Sequence, residues 1–223
     1  MRTNMRTNTD ILKACPLFRG IDEADIGAVL GCLGARPQGY KKGQTILAEG
    51  DRASHLGIVL DGAVQIERGD YLGNRSIVGR AMPAELFAES FACAGAASMP
   101  VDVIAAQDAQ VLLIDAARIT QTCTNACDFH NQMIFNLLQI VAEKNLQFNQ
   151  KLEVSSMRST REKLMTYLLQ QAKQAGSSSF TVPYDRQELA DYLGVERSGL
   201  SAEISKLRKE GVLESNRKHF TLL

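Results

Sequence analysis

DRQELADYLGVERSGLSAEISKLRKE, residues 185–210, reads as two short helices joined by a tight corner. Asp185 is placed to cap the first helix, and Glu188, three residues on, gives a capping-box-like start. Leu189 and Leu193 give this helix one apolar side. Gly194 follows at the point where a chain leaving a helix often needs a positive φ, and Val195 packs into the corner. In the second helix Leu200, Ile204 and Leu207 fall at i, i+4 and i+7, a single buried stripe.

The opposite side of the second helix carries the functional signal. At about 100° per residue, Ser198, Ala202, Ser205 and Lys209 point away from the stripe, with Arg197 and Ser201 on its flanks. Small polar residues and a few cations, with no carboxylate on that face, suit the floor of a DNA major groove, where phosphates repel acidic side chains. Two helices around a Gly-containing turn make a helix-turn-helix, whose second helix reads bases near its N-terminus. An ordinary helical hairpin has the same local pattern.

Charge is distributed in keeping with that reading. The chain has 223 residues and a formal net charge of zero. Residues 158–223 hold 11 Lys and Arg against 8 Asp and Glu, a net +3; the rest holds 14 against 17, a net −3. A mildly basic C-terminal part joined to a mildly acidic remainder fits a nucleic-acid module attached to something else. No apolar run approaches the length of a membrane span, and MRTNMRTNTD lacks the apolar core of a signal peptide. The expected location is the cytoplasm, where Cys15, Cys32, Cys93, Cys123 and Cys127 would be reduced.

Towards the N-terminus, Thr9 or Asp10 could cap a helix through Ala14, and Asp22 a second from Glu23 to about Leu33. Beyond Gly34 short β-prone runs appear at 44–49, 55–60, 63–68, 75–80, 101–106 and 109–114. Gly50-Asp51, Asp61-Gly62, Gly73-Asn74 and Gln107-Asp108 punctuate them. This spacing predicts a sandwich or barrel able to hold a ligand, not a doubly wound sheet.

From Ala126 to Met157 there is neither Gly nor Pro. Ile134, Leu138, Val141, Asn145, Phe148 and Leu152 step by 4, 3, 4, 3 and 4, a heptad seam with an Asn that would fix register in a parallel dimer. Met133, Leu137 and Ile140 form a second strip that could pack against the barrel. A single amphipathic helix buried within one chain is the alternative.

Short helices, a β-roll, a long helix and a helix-turn-helix, in that order, resemble the cyclic-AMP receptor/fumarate–nitrate regulator (Crp/Fnr) family of bacterial transcription factors. The resemblance is carried by CPLFRGI (15–21), KKGQTILAEGD (41–51), LGIVLDGAVQI (56–66) and RQELADYLGVERSGLSAEISKLRKEGVLE (186–214). It implies an α+β chain: a jelly-roll-like, cyclic-nucleotide-binding-like sensor over 9–125, a dimerisation helix over 126–157 and a winged helix-turn-helix over 158–223. It also implies a homodimer on a palindromic operator of double-stranded DNA, with RNA polymerase as a further partner. The family's arginine at the start of the second motif helix falls on Arg197, but its acidic reader falls on Ser198 and its second arginine on Ala202. Arg217 and Lys218 resemble the tip of a wing hairpin touching phosphate.

The resemblance also bears on the effector. The family's cyclic-nucleotide binders carry Gly-Glu and, about ten residues later, Arg-Ser or Arg-Thr, whose arginine pairs with the cyclic phosphate. Here the matching stretch is Ala88-Glu89-Ser90-Phe91, and Met99-Pro100 stand where the arginine pair would be. Residues 81–117 contain no Lys, Arg or His but five carboxylates, Glu85, Glu89, Asp102, Asp108 and Asp115. Glu89, Ser90, Phe91 and Met99 are the candidate effector contacts, and cyclic AMP is not the expected ligand. An uncharged or partly apolar effector, or one presenting an amine or hydroxyl to Glu89, is expected instead.

Other readings have less support. Only Cys15 and Cys32 lie near the N-terminus, too few to hold an iron–sulfur cluster. Cys123 and Cys127 leave a redox or metal signal open, with only His130 nearby at ligand spacing. No nucleophile elbow, P-loop or dinucleotide fingerprint is present, and of three histidines only His55 lies in the β region, which argues against an enzyme. A ligand-binding module with an inert helix-turn-helix is the remaining alternative class. No cofactor is expected.

Overall fold

The computed structural model describes residues 9–71, 75–120 and 128–223. The chain divides into two compact units, Met1–Arg68 with Gly79–Lys144, and Gly69–Val78 with Asn145–Leu223.

The first unit opens with helical residues 9–14, a 3₁₀ turn Pro16–Phe18 and helix α1, Glu23–Leu33. Thr9 and Asp10 already lie inside the helix they were expected to cap. Asp22 does occupy the N-cap position of α1, but its carboxylate makes no capping bond; the turn closes through the backbone, Asp25 N–H to Asp22 O at 2.9 Å. Strands β1 (Pro37–Tyr40), β2 (Thr45–Leu47), β3 (His55–Asp61), β4 (Val64–Gly69), β5 (Arg75–Ala81), β6 (Leu86–Phe87), β7 (Asp102–Ala105) and β8 (Ala109–Asp115) follow. They form two four-stranded sheets, β1-β8-β3-β6 and β2-β7-β4-β5. All six expected β runs are strands, and β1 and β6 are additional. Helix α2 (Glu89–Cys93) follows β6, and α3 (Ala117–Thr120) follows β8.

Alternation along β3 separates the two faces of its sheet. Leu56, Ile58 and Leu60 join Leu112 and Ile114 in a core closed by Leu17, Phe18, Ile26 and Leu33. Gly57 faces the other way, and the Phe87 ring occupies its missing side chain: a Cβ there would lie 1.9 Å from the ring. Gly62, with φ +81°, turns the chain into β4 so closely that a Cβ would meet Asp108 O at 2.2 Å. Only glycine fits that turn.

Helix α4 spans Asp128–Ser156, giving its residues through Lys144 to the first unit and the rest to the second. Met133, Leu137 and Ile140 complete the first unit's core, as the second apolar strip predicts. Asn136, also buried, donates to Leu17 O at 2.9 Å and Arg19 O at 2.8 Å, and accepts from Gln132 at 3.0 Å. This fully bonded amide fixes the CPLFRGI segment on the helix.

In the second unit, helix α5 (Thr160–Ala175) starts in a capping box, Ser159 with Glu162. Strand β9 (Ser179–Thr181), helices α6 (Arg186–Leu193) and α7 (Arg197–Lys209), and strands β10 (Leu213–Asn216) and β11 (His219–Leu222) complete it. The sheet order is β10-β11-β9. Val154, Leu164, Leu168, Leu189, Leu193, Leu200, Ile204, Leu207 and Phe220 form its core, and Ile77 of β5 is fully buried among them.

Candidate nucleic-acid interface and sensor site

The α6–α7 corner is built as its residues dictate. The Asp185 side chain accepts from Glu188 N–H at 2.9 Å, and Glu188 accepts from Asp185 N–H at 2.7 Å. Gly194 leaves α6 at φ +62°, ψ +51°. Leu200, Ile204 and Leu207 are buried, which turns Arg197, Ser198, Ala202, Ser205 and Lys209 to solvent and leaves Ser201 half-buried. The Ser205 hydroxyl donates to Ser201 O at 2.9 Å, so only its lone pairs remain for a partner. Glu203 and Glu210 are drawn onto Arg161 of α5, at 3.3 and 2.7 Å. That hydrogen bond and charge hold the Glu210 carboxyl below the usual carboxylate range.

The wing is the β10–β11 hairpin, with Leu213 opposite Leu222 and Asn216 opposite His219. Arg217 turns the tip at φ +52° and is exposed. Lys218, the other expected phosphate contact, has its Nζ donating to Pro183 O at 3.1 Å and 3.8 Å from Glu188, turned towards the start of α6. The Pro183 carbonyl and the capping glutamate draw the ammonium inward. Between α7 and the wing lies a groove of about 720 Å³, lined by Ser205, Arg208, Lys209, Asn216, His219 and their neighbours. Arg208, Asn216 and His219 were not among the expected contacts. Their shared groove depends on the hairpin register, which helical periodicity does not carry.

In the first unit Ala88 stands where the resemblance places the motif's glycine. Ala88 takes φ +61°, ψ +4° immediately before α2, a conformation costing an L-residue about 1 kcal/mol. Glu89 is 2% exposed, and Ser90 donates to its Oε1 at 3.2 Å. The 81–117 segment holds no cation of its own, but one arrives from outside it: Lys144 of α4 donates to Glu89 Oε2 at 2.9 Å and to Leu86 O at 2.5 Å. Phe91 is half-buried. Met99 is buried, and its backbone is bonded to the 50–51 turn: its N–H donates to Asp51 O at 2.7 Å, and Gly50 N–H donates to its O at 2.9 Å.

Of the cysteines, Cys15 is buried, and burial pushes its thiol up to about 11, which disfavours a reactive thiolate. Cys123 and Cys127 lie outside the described residues, as does the Gly73-Asn74 turn.

Residues 37–126 match the model of the cyclic nucleotide-binding domain, and residues 162–223 that of the Crp-like helix-turn-helix domain. The chain belongs to the Crp/Fnr family. Transcriptional activator protein FnrL of Cereibacter sphaeroides is 22% identical to this Crp/Fnr protein over 199 residues, 82% of this chain and 75% of the relative. The structure of FixK2 from Bradyrhizobium japonicum aligns at TM-score 0.66 and 22% identity, over 84% of this chain and 92% of the other. The c-di-GMP-responsive regulator CLP of Xanthomonas campestris aligns at TM-score 0.72 and 18% identity, over 90% and 99%. The α+β architecture of this Crp/Fnr chain is therefore the one expected, and its function is transcriptional regulation through a helix-turn-helix. No described helix is long and apolar enough to cross a membrane.

Proposed function

We propose that this Crp/Fnr regulator binds a palindromic operator as a homodimer in the cytoplasm, with α7 in the major groove and RNA polymerase as its further partner. The observation that carries this reading is the outer face of α7: Arg197, Ser198, Ala202, Ser205 and Lys209 are exposed together with no carboxylate among them. Arg197 at the N-terminal end is the base reader, helped by Ser198 and Ser201. Lys209, Arg208, His219 and Arg217 serve phosphates along the groove and wing. Residues 9–125 are the sensor, 126–157 the dimerisation helix and 158–223 the DNA-binding part.

Cyclic AMP fits the sensor poorly. Met99 and Pro100 offer no side-chain donor, and the cation that does arrive, Lys144, already faces Glu89. A phosphate would be desolvated against a neutralised pair.

Band shifts with operator fragments selected from genomic DNA test the assignment. Arg197→Ala should cost roughly 1–3 kcal/mol on the selected site and relax specificity at one base pair. Equal losses on selected and random DNA would remove Arg197 as a base reader.

A further inference from the structure

The buried strip of α4 runs Met133, Leu137, Ile140 and then, in the same 4-3-4 step, Lys144. Where an apolar residue would continue the strip, a lysine reaches the sensor instead. Its ammonium is tied at two points of one short segment, the Leu86 carbonyl at 2.5 Å and the Glu89 carboxylate at 2.9 Å. Both oxygens of Glu89 are engaged, one by Lys144 and one by the Ser90 hydroxyl. The carboxylate is 3% exposed and the lysine side chain 26%, so the pair is largely withdrawn from water, where charge-assisted bonds are strong and a missing partner is costly. The left-handed Ala88 lies between the two anchors. Such a conformation persists only where its surroundings over-determine it.

We propose that Lys144 takes the place at Glu89 that an effector would take, fastening the long helix to the sensor so that DNA binding needs no added small molecule. The argument is one of competition. Lys144 meets Glu89 as part of the same chain, at an effective concentration on the order of millimolar. A free ligand with an amine or hydroxyl for Glu89 must displace that tethered cation and leave it in a partly dry site with one carbonyl. An anionic ligand must instead draw Lys144 away and leave Glu89 buried and unpaired. A micromolar effector of either kind is at a disadvantage, and the site works as a fixed link. The proposal rests on the reading of the chain as a DNA-binding regulator.

The test uses the full-length protein, checked by native mass spectrometry for bound small molecules, and an operator fragment selected by the wild type. Wild-type protein should bind without additives. Lys144→Met and Glu89→Gln should each weaken binding about tenfold, and the exchange Glu89→Lys with Lys144→Glu should recover most of it, a coupling of the size neighbouring charges show. Lys144→Arg, which keeps charge and reach, should stay near wild type and serves if Lys144→Met does not fold. Single variants that melt at lower temperature yet bind the operator as wild type does would overturn the proposal. So would wild-type protein that binds only after the small-molecule fraction of a cell extract is added, although the regulator reading would stand. Wild-type protein that binds no DNA under either condition would remove the regulator reading itself.

Discussion

Lys151 donates to Ile77 O at 2.5 Å and Tyr192 O at 3.1 Å, and its ammonium lies 3.5 Å above the Tyr192 ring. Two carbonyls and a π-face are partners without a formal charge, so burial dominates and pushes the lysine down to about 8. In the unfolded chain the same amine titrates near ~10.4. Between those values the unfolded state binds more protons, and stability from this group rises with pH. Wild type should therefore gain about 2 kcal/mol on Lys151→Met between pH 8 and pH 10, with no difference in slope below pH 7. Urea denaturation of both proteins across that range checks it; parallel curves would mean that the amine is not held charged in a dry site. Lys151 and Lys144, seven residues apart on one helix face, were equally silent in the sequence. Lys144 meets a carboxylate 55 positions away, and a local scan of residues 81–117 sees only the absence of cations.

At the scale of elements, what was legible is what is local. The Asp185–Glu188 box, Gly194 and the Leu200-Ile204-Leu207 stripe each lie within one or two turns, and all three stand as read. Asp185→Ala removes a side-chain cap and the reciprocal geometry of its box, at a cost of about 1 kcal/mol. Its melting curve should shift accordingly while Glu188→Ala, acting on the same box, adds little further. Additive losses would show that the two residues act separately. Helix α5 carries the same Ser-x-x-Glu signal at 159–162 and a Leu164-Tyr167-Leu168 stripe, local features that the sequence reading passed over. Strands β1 and β6 gave less: PQGY contains both a proline and a glycine, and Leu86-Phe87 is too short to alternate. Both strands are placed by pairing with distant partners, β1 on β8 and β6 on β3. The inward turn of Lys218 likewise depends on Pro183, which local spacing cannot supply.

For the molecule as a whole, α4 presents the assembly question. Its buried strip is accounted for, yet Phe135, Leu138, Leu146, Phe148 and Leu152 remain 45–66% exposed on the other side. Asn145, near the middle of that side, is exposed with them, whereas Ile134 and Val141 are half-buried and Val141 also packs on the first unit's core. Of the expected seam, Leu138, Asn145, Phe148 and Leu152 are thus open to solvent and available to a partner helix, with Phe135 and Leu146 exposed beside them. Large apolar side chains left in water forgo about 1.5–3 kcal/mol each relative to full burial. Several of them paired along two helices can exceed the rotational and translational cost of association. The proposed parallel two-fold dimer would cover this face, place Asn145 opposite its copy to fix register, and supply the second helix-turn-helix that a palindrome requires. Light scattering at micromolar concentration should find a dimer, and Phe148→Asp, which puts a carboxylate into the seam, should give a folded monomer. That monomer should keep its helical content and lose operator affinity far more than affinity for random DNA, because one half-site contact set replaces two. A monomeric wild type would leave the exposed face of α4 without this partner.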